Sequence, residues 1–144
     1  MTASLRLASS LAVVLGLAIA PAVAQDATAF ELDLNAATET EGGGCRLTYV
    51  ATNLSDLAFE RTAFQVGLFD AEGTVTRLLV LEFGELIAGK TKILQFELAG
   101  SSCATISRIV VNDVAACTLA DGTTSDFCLS RLVATSRTAI QFGI

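Results

Sequence analysis

The chain has 144 residues, a formal net charge of −6 and 52% hydrophobic residues, with no histidine, no tryptophan, one methionine, one tyrosine and four cysteines. That length suits one substantial hydrophobic core, and an acidic balance without a basic run speaks against nucleic acid or anionic lipid as the principal partner. Without histidine there is no Ser-His-acid or Cys-His catalytic set, no c-type haem attachment and no histidine-bearing zinc set, and the four cysteines, at 45, 103, 117 and 128, are not spaced as a compact zinc or iron-sulfur ligand pattern.

The N-terminus reads as a secretory signal peptide, residues 1–24. Arg6 gives a short positive start, Leu11 to Ala20 form an apolar stretch too short to span a membrane comfortably, and Pro21 leads into Ala22-Val23-Ala24 before Gln25. There is no twin arginine and no cysteine at the cleavage point, so neither the twin-arginine route nor a lipid anchor is indicated. The expected mature chain is a single domain, 25–144, in the periplasm or outside the cell, with no membrane insertion after cleavage. Arg6 leaves with the signal, so the mature chain is more acidic than the precursor. Met1 leaves too, which excludes a mature methionine/histidine copper site.

Past the signal the pattern is β. Phe30, Leu32 and Leu34 alternate with acids as one core-facing side of a strand. Ala36 to Gly44 is polar, ends in three glycines and reads as a flexible connection; the lysine and hydroxyl of a phosphate-binding loop are missing. Cys45, Leu47, Tyr49 and Ala51 form the face of a second strand, which ends in a polar turn at Asn53-Leu54-Ser55-Asp56. Asn53-Leu54-Ser55 also fits a glycosylation pattern.

The clearest hairpin follows. Phe64, Val66 and Leu68 precede the turn Asp70-Ala71-Glu72-Gly73, and Val75, Leu79, Leu81 and Phe83 supply the returning apolar surface. Glu82 and Glu85 read as a solvent-facing turn. Ile87-Ala88-Gly89-Lys90 introduces a strand carrying Leu94, Phe96 and Leu98. Ile109 and Val111 mark another strand, expected to end in a turn at Asn112-Asp113. Leu129 to Arg137 fits either a strand or a short helix, and Ile140, Phe142 and Ile144 close the pattern. Short strands at this spacing predict an all-β fold, an antiparallel two-sheet sandwich stabilised by disulfides, with a small open barrel as the structural rival.

The stretch from Tyr49 to Leu98 resembles the small immunoglobulin-like domains of secreted bacterial proteins, including the FxLYD class. The features that carry the resemblance are an asparagine after a strand, a strand ending in Leu68-Phe69-Asp70 before Gly73, and a Gly89 turn before the Phe96 strand. Val66-Gly67-Leu68-Phe69-Asp70 has phenylalanine at the tyrosine-like place. The resemblance implies an immunoglobulin-like sandwich and no common catalytic set.

An even number of cysteines in an exported chain predicts two disulfides among Cys45, Cys103, Cys117 and Cys128. Cys117 with Cys128, around a compact loop, leaves Cys45 to meet Cys103; Cys103 with Cys117 is the rival pairing. The loop between Cys117 and Cys128 offers oxygen donors at Asp121, Thr123, Ser125 and Asp126, with Gly122 for a sharp bend. It lacks the EF-hand arrangement. It therefore reads first as a stapled surface loop, second as a recognition loop for a protein or small ligand, and third as a calcium site. No metal, cofactor or catalytic residue is expected. The functional expectation is a non-enzymatic structural or interaction module, using this loop or an exposed sheet edge. The competing expectation is a small carboxylate-dependent hydrolase or carbohydrate-active enzyme, which needs two acids converged in a cleft.

Overall fold

A computed structural model describes residues 28–144; the signal segment and its cleavage point lie outside them. The described residues form eight strands: β1 (Phe30–Glu39), β2 (Cys45–Asn53), β3 (Phe59–Phe69), β4 (Val75–Leu86), β5 (Thr91–Leu98), β6 (Arg108–Leu119), β7 (Leu132–Ser136) and β8 (Gln141–Gly143). A 3-10 turn at Cys103–Thr105 precedes β6, and a one-turn helix, α1 (Phe127–Ser130), precedes β7. The first sheet has the order β5-β2-β1-β7, the second β4-β3-β6-β8.

One core lies between the sheets. Phe30, Leu32 and Leu34 of β1 and Cys45, Leu47, Tyr49 and Ala51 of β2 are buried against Phe64, Val66, Leu68, Leu81, Phe83, Ile109 and Val111 from the second sheet. Period-two alternation produces this, because successive side chains of a strand point to opposite faces. Edge-to-face aromatic pairs cross between the sheets, with Tyr49 5.7 Å from Phe83 and 5.3 Å from Phe142 between ring centroids.

The expected wholly antiparallel arrangement is corrected by two parallel pairs, β1 with β7 and β6 with β8. After β6 the chain crosses from the second sheet to the first through the stapled loop and α1, so β7 arrives beside β1 running the same way. The polar stretch after Leu34 is also more ordered than expected. A bulge between Leu34 and Ala36 shifts the register, which lets β1 continue to Glu39 with Ala37 against the core. The turn at Thr40–Gly44 then closes through Gly43, whose φ is +71°.

Other boundaries move for the same reason. Asn112 and Asp113 do not end a strand; they sit in a bulge inside β6, where Asp113 Oδ1 accepts from the Val114 amide at 2.7 Å. Glu82 and Glu85 lie in β4, separated by Gly84 at φ +69°. Val75 and Ile144 are exposed, and Leu79, Leu94, Phe96 and Phe142 are half-buried at the margins of the core. Leu129 to Arg137 contains both expected elements, the end of α1 and then β7.

Asn53 is not a surface turn residue. It is fully buried; its Nδ2 donates to Leu57 O at 2.7 Å and Leu86 O at 3.2 Å, and its Oδ1 accepts from the Ser55 amide and hydroxyl. One side chain thereby ties the end of β2 to the end of β4.

Candidate functional site

The disulfides are Cys45–Cys103 and Cys117–Cys128. In the second, Cys117 lies near the end of β6 and Cys128 in α1, both buried, with Cα atoms 6.0 Å apart. Phe127, beside Cys128, packs on Phe59 at 5.8 Å and fixes α1 to the core. The intervening loop is a closed hairpin: Leu119 N donates to Thr123 O, Gly122 N to Leu119 O, and Ser125 N to Cys117 O. Gly122, at φ +84°, makes the bend.

The four oxygen donors singled out in this loop do not converge. Asp121 Oδ1 accepts from Thr123 N at 2.9 Å and Thr123 Oγ1 at 2.6 Å, bonds that hold its carboxyl below the usual carboxylate range. Ser125 Oγ accepts instead from the Phe127 amide at 3.2 Å, and the Asp126 carbonyl starts α1. Among the described residues no group of three or more Cys, Asp or Glu is placed to hold a metal ion. The side chains of Asp121, Thr123 and Ser125 bond within the loop itself.

Two acids of the strands, Glu82 and Asp113, are also locally engaged. Glu82 pairs with Arg61 at 2.7 Å, with both side chains about half exposed, so the pair contributes little stability. Asn112 donates to Gln65 Oε1 at 2.6 Å, and Asp113 holds its own bulge.

A different surface stands out. Directly opposed residues of an antiparallel pair share a face, so the register Phe69↔Val75, Gly67↔Leu78 and Gln65↔Val80 puts Val75, Leu78 and Val80 together on the outer side of the second sheet. They are 49%, 59% and 50% exposed. Gly67 provides a floor without a side chain between Leu78 and Val110, and Arg108 lies over the Phe69 ring at 4.2 Å. β4 is an edge strand. At its C-terminal end the Lys92 ammonium donates to Phe83 O at 2.9 Å and Glu85 O at 3.2 Å, occupying edge carbonyls beside the Gly84 bulge. That guard does not reach Val75 to Leu81. The signal in the sequence is "RLLVLEF", in which both phases of one strand are apolar.

The outer side of the first sheet is different in kind. Polar pairs cross it, Arg46 with Glu97 at 3.3 Å and Arg137 with Asp33 at 2.6 Å. Ile93 is its most exposed large apolar residue, at 69%.

No protein-family model matches the chain, and the search of curated proteins finds no match. Among solved structures the fold is similar to that of IrmA from Escherichia coli, with a TM-score of 0.56 and 14% identity over 74% of this chain and 90% of that one. Among the described residues no helix is long and apolar enough to cross a membrane.

Proposed function

We propose that this chain is an exported, non-enzymatic interaction module. In this reading a signal-bearing precursor matures to an immunoglobulin-like sandwich in the periplasm or outside the cell, and meets a protein partner through the outer side of its second sheet at β4. The observation that carries it is the exposure of Val75, Leu78 and Val80 on an edge strand above Gly67. Apolar side chains grouped on an edge can be buried by an arriving strand or loop, and the free backbone groups of that edge add hydrogen bonds. The two-sheet core, the paired disulfides and the likeness of fold to IrmA support the sandwich. The separate local engagement of Glu82, Asp113 and Asp121 favours binding over carboxylate catalysis.

A photo-crosslinking residue at Val80, with one at Ile93 as control, tests the reading in the producing cell. Crosslinking to a defined protein from position 80, lost when Leu78 is replaced by lysine and absent from position 93, is the expected result. Equal yields from both positions would reject the surface. N-terminal sequencing of the exported chain should begin at Gln25; finding Met1 or Thr2 there would reject the signal reading.

A further inference from the structure

The pairing of four cysteines is a choice among three connectivities, and the structure holds a device beside one of the two bonds. Glu39, the last residue of β1, stands directly opposite Cys45 in the β1–β2 register, and Cys45 on its other side stands opposite Leu98, the last residue of β5. From Leu98 the chain turns through Gly100, at φ +72°, into the short helical turn carrying Cys103. The Glu39 carboxylate reaches that turn on both sides of the cysteine. Its Oε1 accepts from Ser102 Oγ at 2.6 Å and from the Ala104 amide at 3.2 Å. These bonds span 63 and 65 residues of sequence, nearly the same closure as the disulfide's 58.

We propose that Glu39 is a positioning residue for oxidation of the Cys45–Cys103 pair: its carboxylate holds Ser102 and Ala104 so that the Cys103 thiol faces Cys45 before the bond exists. Two links that close one loop reinforce each other, because whichever forms first removes the entropy that the second must otherwise overcome. The rival partner of Cys103 is held away meanwhile, since β6 runs extended from Arg108 to Leu119 and carries Cys117 towards the opposite end of the second sheet. The chemistry is ordinary exchange with a small-molecule disulfide. One chain thiolate attacks it and releases one small thiol, leaving a mixed disulfide; the second chain thiolate displaces the other small thiol. Two electrons and two protons thus leave the cysteine pair and end on the two released thiols.

Refolding the reduced chain in a graded series of reduced and oxidised glutathione, with alkylation and peptide mapping, measures the equilibrium for each bond in the same molecule. Glu39→Ala should lower the equilibrium constant for Cys45–Cys103 about fivefold, the factor that one net hydrogen bond represents. Cys117–Cys128 serves as the internal control and should stay within about twofold of the parent. Glu39→Gln keeps an oxygen able to accept both bonds and should restore most of the loss. An equal fall for both disulfides would show a general loss of stability instead of positioning, and no change in either would show that the contact follows the bond without assisting it. Either outcome overturns the proposal.

Discussion

Tyr49 is the chain's one tyrosine, and there is no tryptophan, so an alkaline ultraviolet titration reads a single group. Its ring is fully buried among Phe83, Phe96 and Phe142. Burial penalises the tyrosinate and raises the hydroxyl well above its ordinary value near 10. The sign of the effect follows from proton counting. Above about pH 10 the unfolded chain gives up this proton and the folded chain keeps it. The folded state then binds more protons, so stability falls as pH rises through the unfolded value and goes on falling until the folded group ionises. The slope is about 1.4 kcal/mol per pH unit. At neutral pH a second term acts: among the described residues the hydroxyl has no hydrogen-bond partner, and a buried unpaired hydroxyl costs about 1–3 kcal/mol. Tyr49→Phe should therefore be at least as stable as the parent at pH 7 and, relative to it, gain about 1.4 kcal/mol for each pH unit above 10. Urea unfolding of both proteins at stepped pH measures the difference, and the lysines and arginines common to both cancel. Tyrosinate absorbance appearing near the ordinary value while the circular dichroism is still native would refute the reasoning. So would a loss of more than about 1 kcal/mol by the phenylalanine variant at neutral pH, since that would reveal a partner for the hydroxyl.

Three further outcomes are expected. Serine at both Cys117 and Cys128 should lower stability by about 2–4 kcal/mol in denaturant unfolding, and the difference from the parent should disappear once reducing agent opens the parent's own Cys117–Cys128 bond. Asn53→Ala leaves Leu57 O, Leu86 O and the Ser55 hydroxyl without their shared partner and should cost about 2–4 kcal/mol; the folded protein should also resist glycan transfer at Asn53, which an in vitro oligosaccharyltransferase assay would check. Phe96→Ala removes a half-buried ring that meets Tyr49 at 6.0 Å and Phe83 at 5.3 Å, and should lower stability by about 2–3 kcal/mol, below the range for a fully enclosed phenylalanine.

The fold is legible in the sequence where one face of a strand is buried and the other wet. Phe30, Leu32 and Leu34, and Cys45 to Ala51, alternate cleanly, and their inward faces follow from period two alone. β4 resists the same reading because "RLLVLEF" is apolar in both phases, so Val75 and Leu79 look like core while Leu78 and Val80 carry no separate signal. Each bulge adds a residue and inverts the phase beyond it, which hides the continuation of β1 past Asn35 and of β6 past Asp113. Strand direction leaves no mark on local pattern, so nothing in the sequence announces the parallel docking of β7 and β8. Asn53 carries a turn signal because asparagine and serine favour turns; that the same groups bond inward depends on Leu86, distant in sequence. The stapled loop is legible as a loop, but the sequence shows its donor residues without their partners, such as the Thr123 hydroxyl that bonds Asp121.

The Cys45–Cys103 bond has a consequence for resistance to proteolysis. It encloses the exposed hairpin tip at Ala71 to Gly73 and the turn at Ile87 to Lys90, the places where a protease finds accessible backbone. A single cut at either place severs the polypeptide but not the molecule. The two pieces stay joined through sulfur, with β2 and β3 on one side of the break at the tip and β4 and β5 on the other, still paired across both sheets. A nicked chain of this kind keeps its full mass until it meets a reductant. In an oxidising compartment that lets the domain absorb a clip without releasing either fragment.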